Sequence, residues 1–112
     1  MVTTESPIEE LIDKYMKDII YDAHGVDLRI SRSQARVYLQ SLGKKALKPI
    51  AVEMESQFLV DDNINYELFM AYVILICGII EDHNLPESPY DSDVKYVHQD
   101  PEVWIKYCQE NG

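Results

Sequence analysis

The residue types that most often carry catalysis or bind metals, histidine and cysteine, are few in this sequence and widely spaced. The three histidines are His24, His83 and His98, and no H-E-x-x-H or similar helical pair joins them. The two cysteines, Cys77 and Cys108, have no C-x-x-C or other metal spacing. A reducing compartment would keep them as thiols, and a disulfide between them is the alternative. The sequence therefore indicates no metal site.

Motifs for nucleophilic or phosphate chemistry are also missing from the sequence. It contains no G-x-S-x-G turn, no P-loop and no G-x-G-x-x-G, and its four glycines are too few for a phosphate cradle. Glu81, Asp82 and His83 are consecutive, and consecutive residues of a helix point in different directions, so this trio fits a solvated helix end better than a metal site. We therefore expect a protein that is not an enzyme and uses no cofactor.

The length and composition predict one folded domain. The chain has 112 residues, of which 46% are hydrophobic and 27% charged, as is usual for a globular protein. Its N-terminus resembles neither a secretory signal nor a transit peptide. The longest apolar run, residues 69–80, is shorter than the roughly 20 residues that a membrane-spanning helix needs. We expect a cytoplasmic protein with no membrane partner.

The charge is strongly negative and unevenly distributed. The formal net charge is -10, which argues against nucleic acid as a partner because such binding depends on neutralising phosphates. Residues 29–48 nevertheless carry six basic residues and no acid. Within this basic island Arg29, Arg32 and Arg36 lie close together, and the last two share a helix face, so they could contact an acidic partner. The alternative is that the chain's own acids neutralise them.

The spacing of the apolar residues predicts helices. A first helix begins at Ser6, Pro7 and Glu9, which combine an N-cap, a first-turn proline and a capping box, and it ends at Gly25. Its apolar residues recur with the 3.6-residue period of a helix that buries one face. They are Ile8, Leu11, Ile12, Tyr15, Met16, Ile19 and Ile20.

Three more helices are predicted before residue 84. Residues 26–30 are expected to form a short connector, after which Ser31 caps a second helix that Gly43 closes. Pro49 is placed in the first turn of a third helix, because further inside a helix it would remove a hydrogen bond. The fourth helix covers residues 65–82, and because its middle is apolar on nearly every side we expect it to be the most enclosed helix.

The C-terminal region is predicted to be a loop followed by a short helix. Residues 85–93 have the composition of a loop, and Asp100 and Pro101 supply the cap and first position of a helix. One face of this helix carries Val103, Trp104, Tyr107 and Cys108. A helix of about ten residues is marginal alone in water, so it must dock on something. It either completes the core or docks on a partner or on a second copy of the chain in a homo-oligomer.

Two stretches repeat at an offset of 34 residues. Residues 26–35 read VDLRISRSQA and residues 60–69 read VDDNINYELF, each with a helix predicted before and after it. This pattern resembles a pair of EF-hands, with Ile30 and Ile64 at the loop position that couples the two loops. The resemblance places one carboxylate in each loop, Asp27 or Asp61, and leaves both loops without the final bidentate acid, which implies a degenerate pair that does not bind calcium. The alternative is two helical hairpins with similar turns.

These observations predict an all-α fold, a four-helix domain of two helix–loop–helix units in residues 1–84 with a loop and short C-terminal helix in residues 85–112 packed on it. The expected function is a protein-interaction module or adaptor that binds a partner helix in an apolar groove without calcium. The predicted partner-binding residues are Arg29, Arg32, Arg36, Tyr38, Leu42, Phe69, Tyr72, Ile76 and Trp104. The alternative is an acidic inhibitor, of the immunity-protein or nucleic-acid-mimic type, that blocks a basic site on its target.

Overall fold

The computed structural model describes residues 7–21, 25–60, 65–86 and 101–112. Within these ranges the chain forms six α-helices and no strand, so the all-α prediction is confirmed. The helices are α1 (Pro7–Tyr21), α2 (Val26–Arg32), α3 (Gln34–Leu42), α4 (Lys44–Phe58), α5 (Tyr66–His83) and α6 (Pro101–Asn111). The predicted caps Ser6 and Asp100, the isoleucine Ile64 and the histidines His24 and His98 lie outside the described residues.

The first half of the chain contains one helix more than expected. The stretch predicted as a connector forms α2, and Ile30 is a buried residue of that helix. Ser33, and not Ser31, then caps α3: its backbone is extended, its hydroxyl accepts a hydrogen bond from the Arg36 amide, and it donates one to Asp18 at 2.6 Å. Because Ser33 interrupts the helical backbone between α2 and α3, the arrangement in two helix–loop–helix units is not confirmed.

The helix α4 begins earlier than predicted, directly after Gly43. Gly43 has a φ of 66°, and a Cβ there would lie 2.9 Å from the imidazole of His83, so both the backbone and the packing require glycine. Pro49 therefore lies in the second turn of α4 and not in the first. It leaves one carbonyl of the preceding turn without its helical donor. The helix extends ahead of the proline because Ala46 and Leu47 are fully buried there.

The two later helices begin and end at residues suited to helix termini. The Asn65 side chain accepts hydrogen bonds from the amides of Glu67 and Leu68 at the start of α5. Asn84 ends this helix in the left-handed conformation, which asparagine tolerates better than most residues. Pro101 is the first residue of α6. Local capping chemistry therefore accounts for both boundaries of α5 and for the start of α6.

The helices pack around one core. Helix α3 packs on α1 and α5, whereas α6 packs mainly on α4. The indole of Trp104 and the phenols of Tyr15 and Tyr72 are fully buried. The Tyr15 hydroxyl donates to the Ala71 carbonyl at 2.6 Å, which joins α1 to α5 in the interior. Burial raises the pKa of both phenols above their usual value, so they act as neutral hydrogen-bonding groups.

Candidate partner-binding cleft

One arginine of the basic island, Arg29, connects three helices. The Arg29 side chain is 11% exposed and pairs with Glu67 in the first turn of α5 at 3.0 Å. Its guanidinium also donates to the Ile19 carbonyl near the end of α1. Arg29 therefore connects α2 to α1 and α5. An acid of the same chain neutralises its charge, which agrees with the alternative interpretation of the basic island.

Arg36 is likewise bound by its own chain. Its Nε donates to the Ile30 carbonyl at 2.9 Å, and its Nη1 donates to the Gln40 side chain at 2.7 Å. Gln40 in turn donates to Asp82 at 2.7 Å, which links α3 to the end of α5. Arg32 is exposed and lines a polar cleft with Arg29. Arg29 and Arg32 thus share a cleft, whereas Arg36 lines a different one, and both Arg29 and Arg36 make structural contacts.

The apolar residues predicted to line a groove do not form one open surface. Phe69, Tyr72 and Ile76 are buried on α5, and Trp104 is buried on α6. Their side chains belong to the core that joins the helices, because each is at most 3% exposed. Leu42 is half-buried, and Tyr38 is exposed beside a separate cleft between α1 and α3. Of the predicted apolar contact residues, only Tyr38 and Leu42 lie outside the buried core.

A different apolar cleft opens between the second half of α1, the end of α4 and the start of α5. It has a volume of about 440 Å³. We call it the α1–α4–α5 cleft, and its apolar lining comprises Met16, Ile20, Tyr21, Phe58 and Leu68. The clefts on the other side of α1 have more charged residues in their lining, among them Lys17, Asp18 and Arg32. The α1–α4–α5 cleft is therefore the better candidate for an apolar contact.

Large apolar side chains around this cleft are exposed to solvent. Ile20 is 52% exposed, and Tyr21 is 79% exposed. Leu59 and Val60, which follow α4, and Tyr66 in the first turn of α5 are exposed as well. Single exposed apolar residues are common on protein surfaces. A group of them around an apolar cleft indicates an interaction surface.

The floor of the cleft is fixed by aromatic packing. The Phe58 ring lies 5.7 Å from the rings of both Phe69 and Tyr72, edge to face in each case. Gln57, which also lines the cleft, donates from Nε2 to the Tyr72 hydroxyl at 2.9 Å. The end of α4 is thereby held on α5 by the same residues that form the floor. The cleft floor is therefore part of the packed core at the contact between α4 and α5.

The rim of the cleft carries acidic residues at one end. Asp13 lines the cleft and forms an ion pair with Lys17 at 3.0 Å on the exposed face of α1. Glu53 lies one turn before Gln57 on α4. Partial burial raises the pKa of Glu53 above its usual range, and the negative charges of Glu9 and Asp13 raise it further. We call Glu9, Asp13 and Glu53 the acidic trio.

The histidines and cysteines show no arrangement for catalysis within the described part of the chain. His83 Nε2 lies 2.9 Å from the Gln40 carbonyl oxygen. Both cysteines are free thiols, and burial raises the pKa of Cys108 to about 12, which disfavours the reactive thiolate. Among the residues that the structure describes, no group of three or more His, Cys, Asp or Glu could hold a metal ion. No helix there is long and apolar enough to cross a membrane.

The cleft residues were not identified as a site from the sequence. Ile20 belongs to the predicted core stripe of α1, and Phe58 lies on the predicted apolar side of the third helix. Their spacing does not show which members of a stripe remain uncovered. The sequence could have revealed two members of the acidic trio, because Glu9 and Asp13 are four residues apart and share a face of α1. Glu53 joins them only through helix packing.

Comparisons with known proteins give no family for this chain. No protein-family model matches it, and neither the curated proteins nor the solved structures contain a match. The geometry of the cleft is therefore the basis for assigning a function to this chain.

Proposed function

We propose that this chain is a non-enzymatic protein-binding module, an adaptor that holds an apolar segment of a partner protein in the α1–α4–α5 cleft without calcium. The observation that carries the proposal is the apolar lining of this cleft together with the exposure of Ile20 and Tyr21 beside it. Burying one large apolar side chain contributes about 1.5–3 kcal/mol. Covering these residues is therefore a source of binding free energy that the isolated chain does not use.

The rigidity of the cleft supports the same function. Association is opposed by the entropy lost when side chains and loops become ordered at an interface. The packing of Phe58 on Phe69 and Tyr72 holds the floor in place before a partner arrives. Binding would then cost this chain little conformational entropy.

The EF-hand resemblance remains part of the proposal in a limited form. A degenerate pair would use its helices to hold a partner, and calcium would take no part. Ile30, the first coupling isoleucine of the resemblance, is buried in α2. The proposal does not depend on kinship, because two similar helical hairpins could form the same cleft.

The test compares two substitutions at exposed aliphatic residues. Ile20→Glu puts a charge into the cleft, and Val52→Glu is the matched control, because Val52 is 60% exposed on α4 and lies outside the cleft lining. The wild-type chain and both variants are immobilised and incubated with extract of the native cell, and the retained proteins are identified. Each candidate partner is then purified and its dissociation constant measured.

We expect a partner that binds wild type and Val52→Glu with similar affinity and binds Ile20→Glu at least about tenfold more weakly, since a charge buried without a counter-ion is costly. Equal affinity of a purified partner for wild type and Ile20→Glu would refute the cleft as the binding site.

A second candidate function is the acidic inhibitor, which the acidic trio and the charge of -10 favour. The two functions differ in their response to salt. The affinity of an acidic inhibitor for a basic site falls steeply between low and high ionic strength. An apolar contact in the cleft holds its affinity, and sulfate salts strengthen it. Binding of the purified partner at both salt concentrations separates the two functions.

A further inference from the structure

The acidic trio lies at one end of the α1–α4–α5 cleft. Asp13 lines the cleft itself, and Glu9 precedes it by one turn on the same helix. Glu53 lies on α4, which packs on α1, one turn before a residue of the cleft lining. The cleft therefore has three carboxylates at or near one end. Its opposite end is formed by Ile20, Tyr21 and Phe58.

These acids are poorly compensated by the chain. Lys17, which also lines the cleft, forms an ion pair with Asp13, but both side chains are more than 60% exposed, so solvent weakens the attraction. Within the described residues neither Glu9 nor Glu53 forms an ion pair. The mutual repulsion of three carboxylates would be relieved by cations from outside. The charge complement of this end of the cleft is therefore a basic group.

The backbone chemistry of the cleft favours a helical occupant. The cleft is bounded by three helices, whose only free backbone donors and acceptors are the few at the helix ends. An extended peptide would bury most of its amides and carbonyls without partners, because no strand edge borders the cleft within the described residues. A helix satisfies its own backbone and presents only side chains. An apolar cleft between helices is therefore suited to an amphipathic helix.

The dimensions and the net charge define the occupant further. Along α1, Glu9 and Ile20 are about 16 Å apart at a rise of 1.5 Å per residue, which is about three turns of a bound helix. A second copy of this chain would bring another charge of -10 to an acidic surface. Charge complementarity therefore favours a basic partner over self-association.

We propose that the occupant of the cleft is a basic amphipathic helix of a partner protein, whose apolar face contacts Ile20, Phe58 and Leu68 and whose Lys or Arg side chains pair with the acidic trio. This inference rests on the proposed function. It adds the conformation of the partner segment, its charge, and its direction, with the basic residues next to Glu9 and Glu53.

Two synthetic peptides serve as probes of the full chain. Both are fluorescein-labelled, 18 residues long and share one pattern of Leu and Ala at helical spacing, with Lys at every polar position in one and Glu in the other. Binding is followed by fluorescence anisotropy, and the helicity of the bound peptide by circular dichroism. The variant Glu9→Gln/Glu53→Gln removes two of the three charges of the trio. The control Glu81→Gln/Glu110→Gln removes the same charge at exposed positions outside the cleft lining.

We expect the Lys peptide to bind as a helix and at least about tenfold more tightly than the Glu peptide at low salt. Its affinity should fall about fivefold in Glu9→Gln/Glu53→Gln and less than twofold in the control. Ile20→Glu makes the chain more acidic, so a purely electrostatic attraction would strengthen. Binding in the cleft should instead weaken at least about tenfold.

The contrary results separate the inference from the function on which it rests. Equal losses in the two double variants would overturn the basic occupant while leaving an apolar contact in the cleft. Failure of the Lys peptide to bind would overturn it as well. Unchanged or tighter binding of the Lys peptide to Ile20→Glu would overturn the cleft itself, and with it the proposed function.

Discussion

Two sides of α4 show how similar apolar chemistry leads to different outcomes. On one side α4 is covered by α6, which runs antiparallel to it: Gln109 donates a hydrogen bond to Glu55, and Gly112 lies beside Lys48. Trp104 on the covering helix is fully buried. On the cleft side Phe58 forms the floor of the open α1–α4–α5 cleft.

This comparison distinguishes a core from a binding surface. On the α6 side, the apolar side chains are covered and their burial already stabilises the fold. On the cleft side, Ile20 and Tyr21 remain more than half exposed, so their burial is left for a partner. Substitutions on the two sides should therefore separate stability from binding.

The largest effect is expected on the covered side. Trp104→Ala should lower the free energy of unfolding by about 3–5 kcal/mol, because it leaves a large cavity between α4 and α6. Urea denaturation followed by circular dichroism measures the change, with Val52→Ala as an exposed control. A loss below about 1 kcal/mol would show that α6 is a detachable arm, and the contrast between the α6 side and the cleft side of α4 would then fail.

A smaller loss is expected where α1 is attached to α5. Tyr15→Phe removes the hydroxyl that donates to the Ala71 carbonyl at 2.6 Å, and it should cost about 1 kcal/mol. The same urea denaturation reports the loss. Because α1 forms one wall of the cleft, binding of the Lys peptide should weaken as well. Unchanged stability together with unchanged binding would show that this wall is held by apolar packing alone.

A pH-dependent effect is expected at the acidic end of the cleft. Burial and the neighbouring acids raise the pKa of Glu53 in the folded chain above the value of 4.5 that applies when it is unfolded. Its contribution to stability is therefore fully present below about pH 4.5 and is lost as the pH rises through the folded pKa. Glu53→Gln should melt slightly above wild type at pH 7, and the difference should vanish near pH 4. A variant that melts lower at pH 7 would show that the charge of Glu53 is stabilised by its surroundings.

The smallest effect on stability is expected at the open end of the cleft. Ile20→Ala should change the free energy of unfolding by no more than about 0.5 kcal/mol, because its side chain is half exposed. It should nevertheless weaken binding of the Lys peptide. A loss of stability near that of Trp104→Ala would mean that the cleft belongs to the core.

The fold was predicted best where local chemistry decides it. The Asn65 cap and the continuous apolar run place α5 within one residue at each end, and Pro101 marks the start of α6. Prediction was wrong where two local signals competed. Ser31 and Ser33 are both suitable caps, and only the packing of α2 through Ile30 selects Ser33.

The candidate site was predicted less well than the fold. Phe69, Tyr72 and Ile76 were correctly placed on one helix, but sequence spacing cannot show whether another helix covers them. The arginines were predicted to lie close together, but their bonding partners were not predicted. Arg29 donates to the Ile19 carbonyl of α1, and Arg36 donates to the Ile30 carbonyl of α2, a helix that the sequence did not predict. Their structural role depends on contacts that no local pattern contains.

The sequence by itself determined that this chain is acidic, all-helical and amphipathic, because helix caps and the 3.6-residue period act over a few residues. Tertiary structure alone decided which apolar side chains were covered. Ile19 and Ile20 are adjacent in one stripe, yet Ile19 is 1% exposed and Ile20 is 52% exposed. The reason is physical: burial depends on what packs against a face, and the helices that leave Ile20 open come from different parts of the chain.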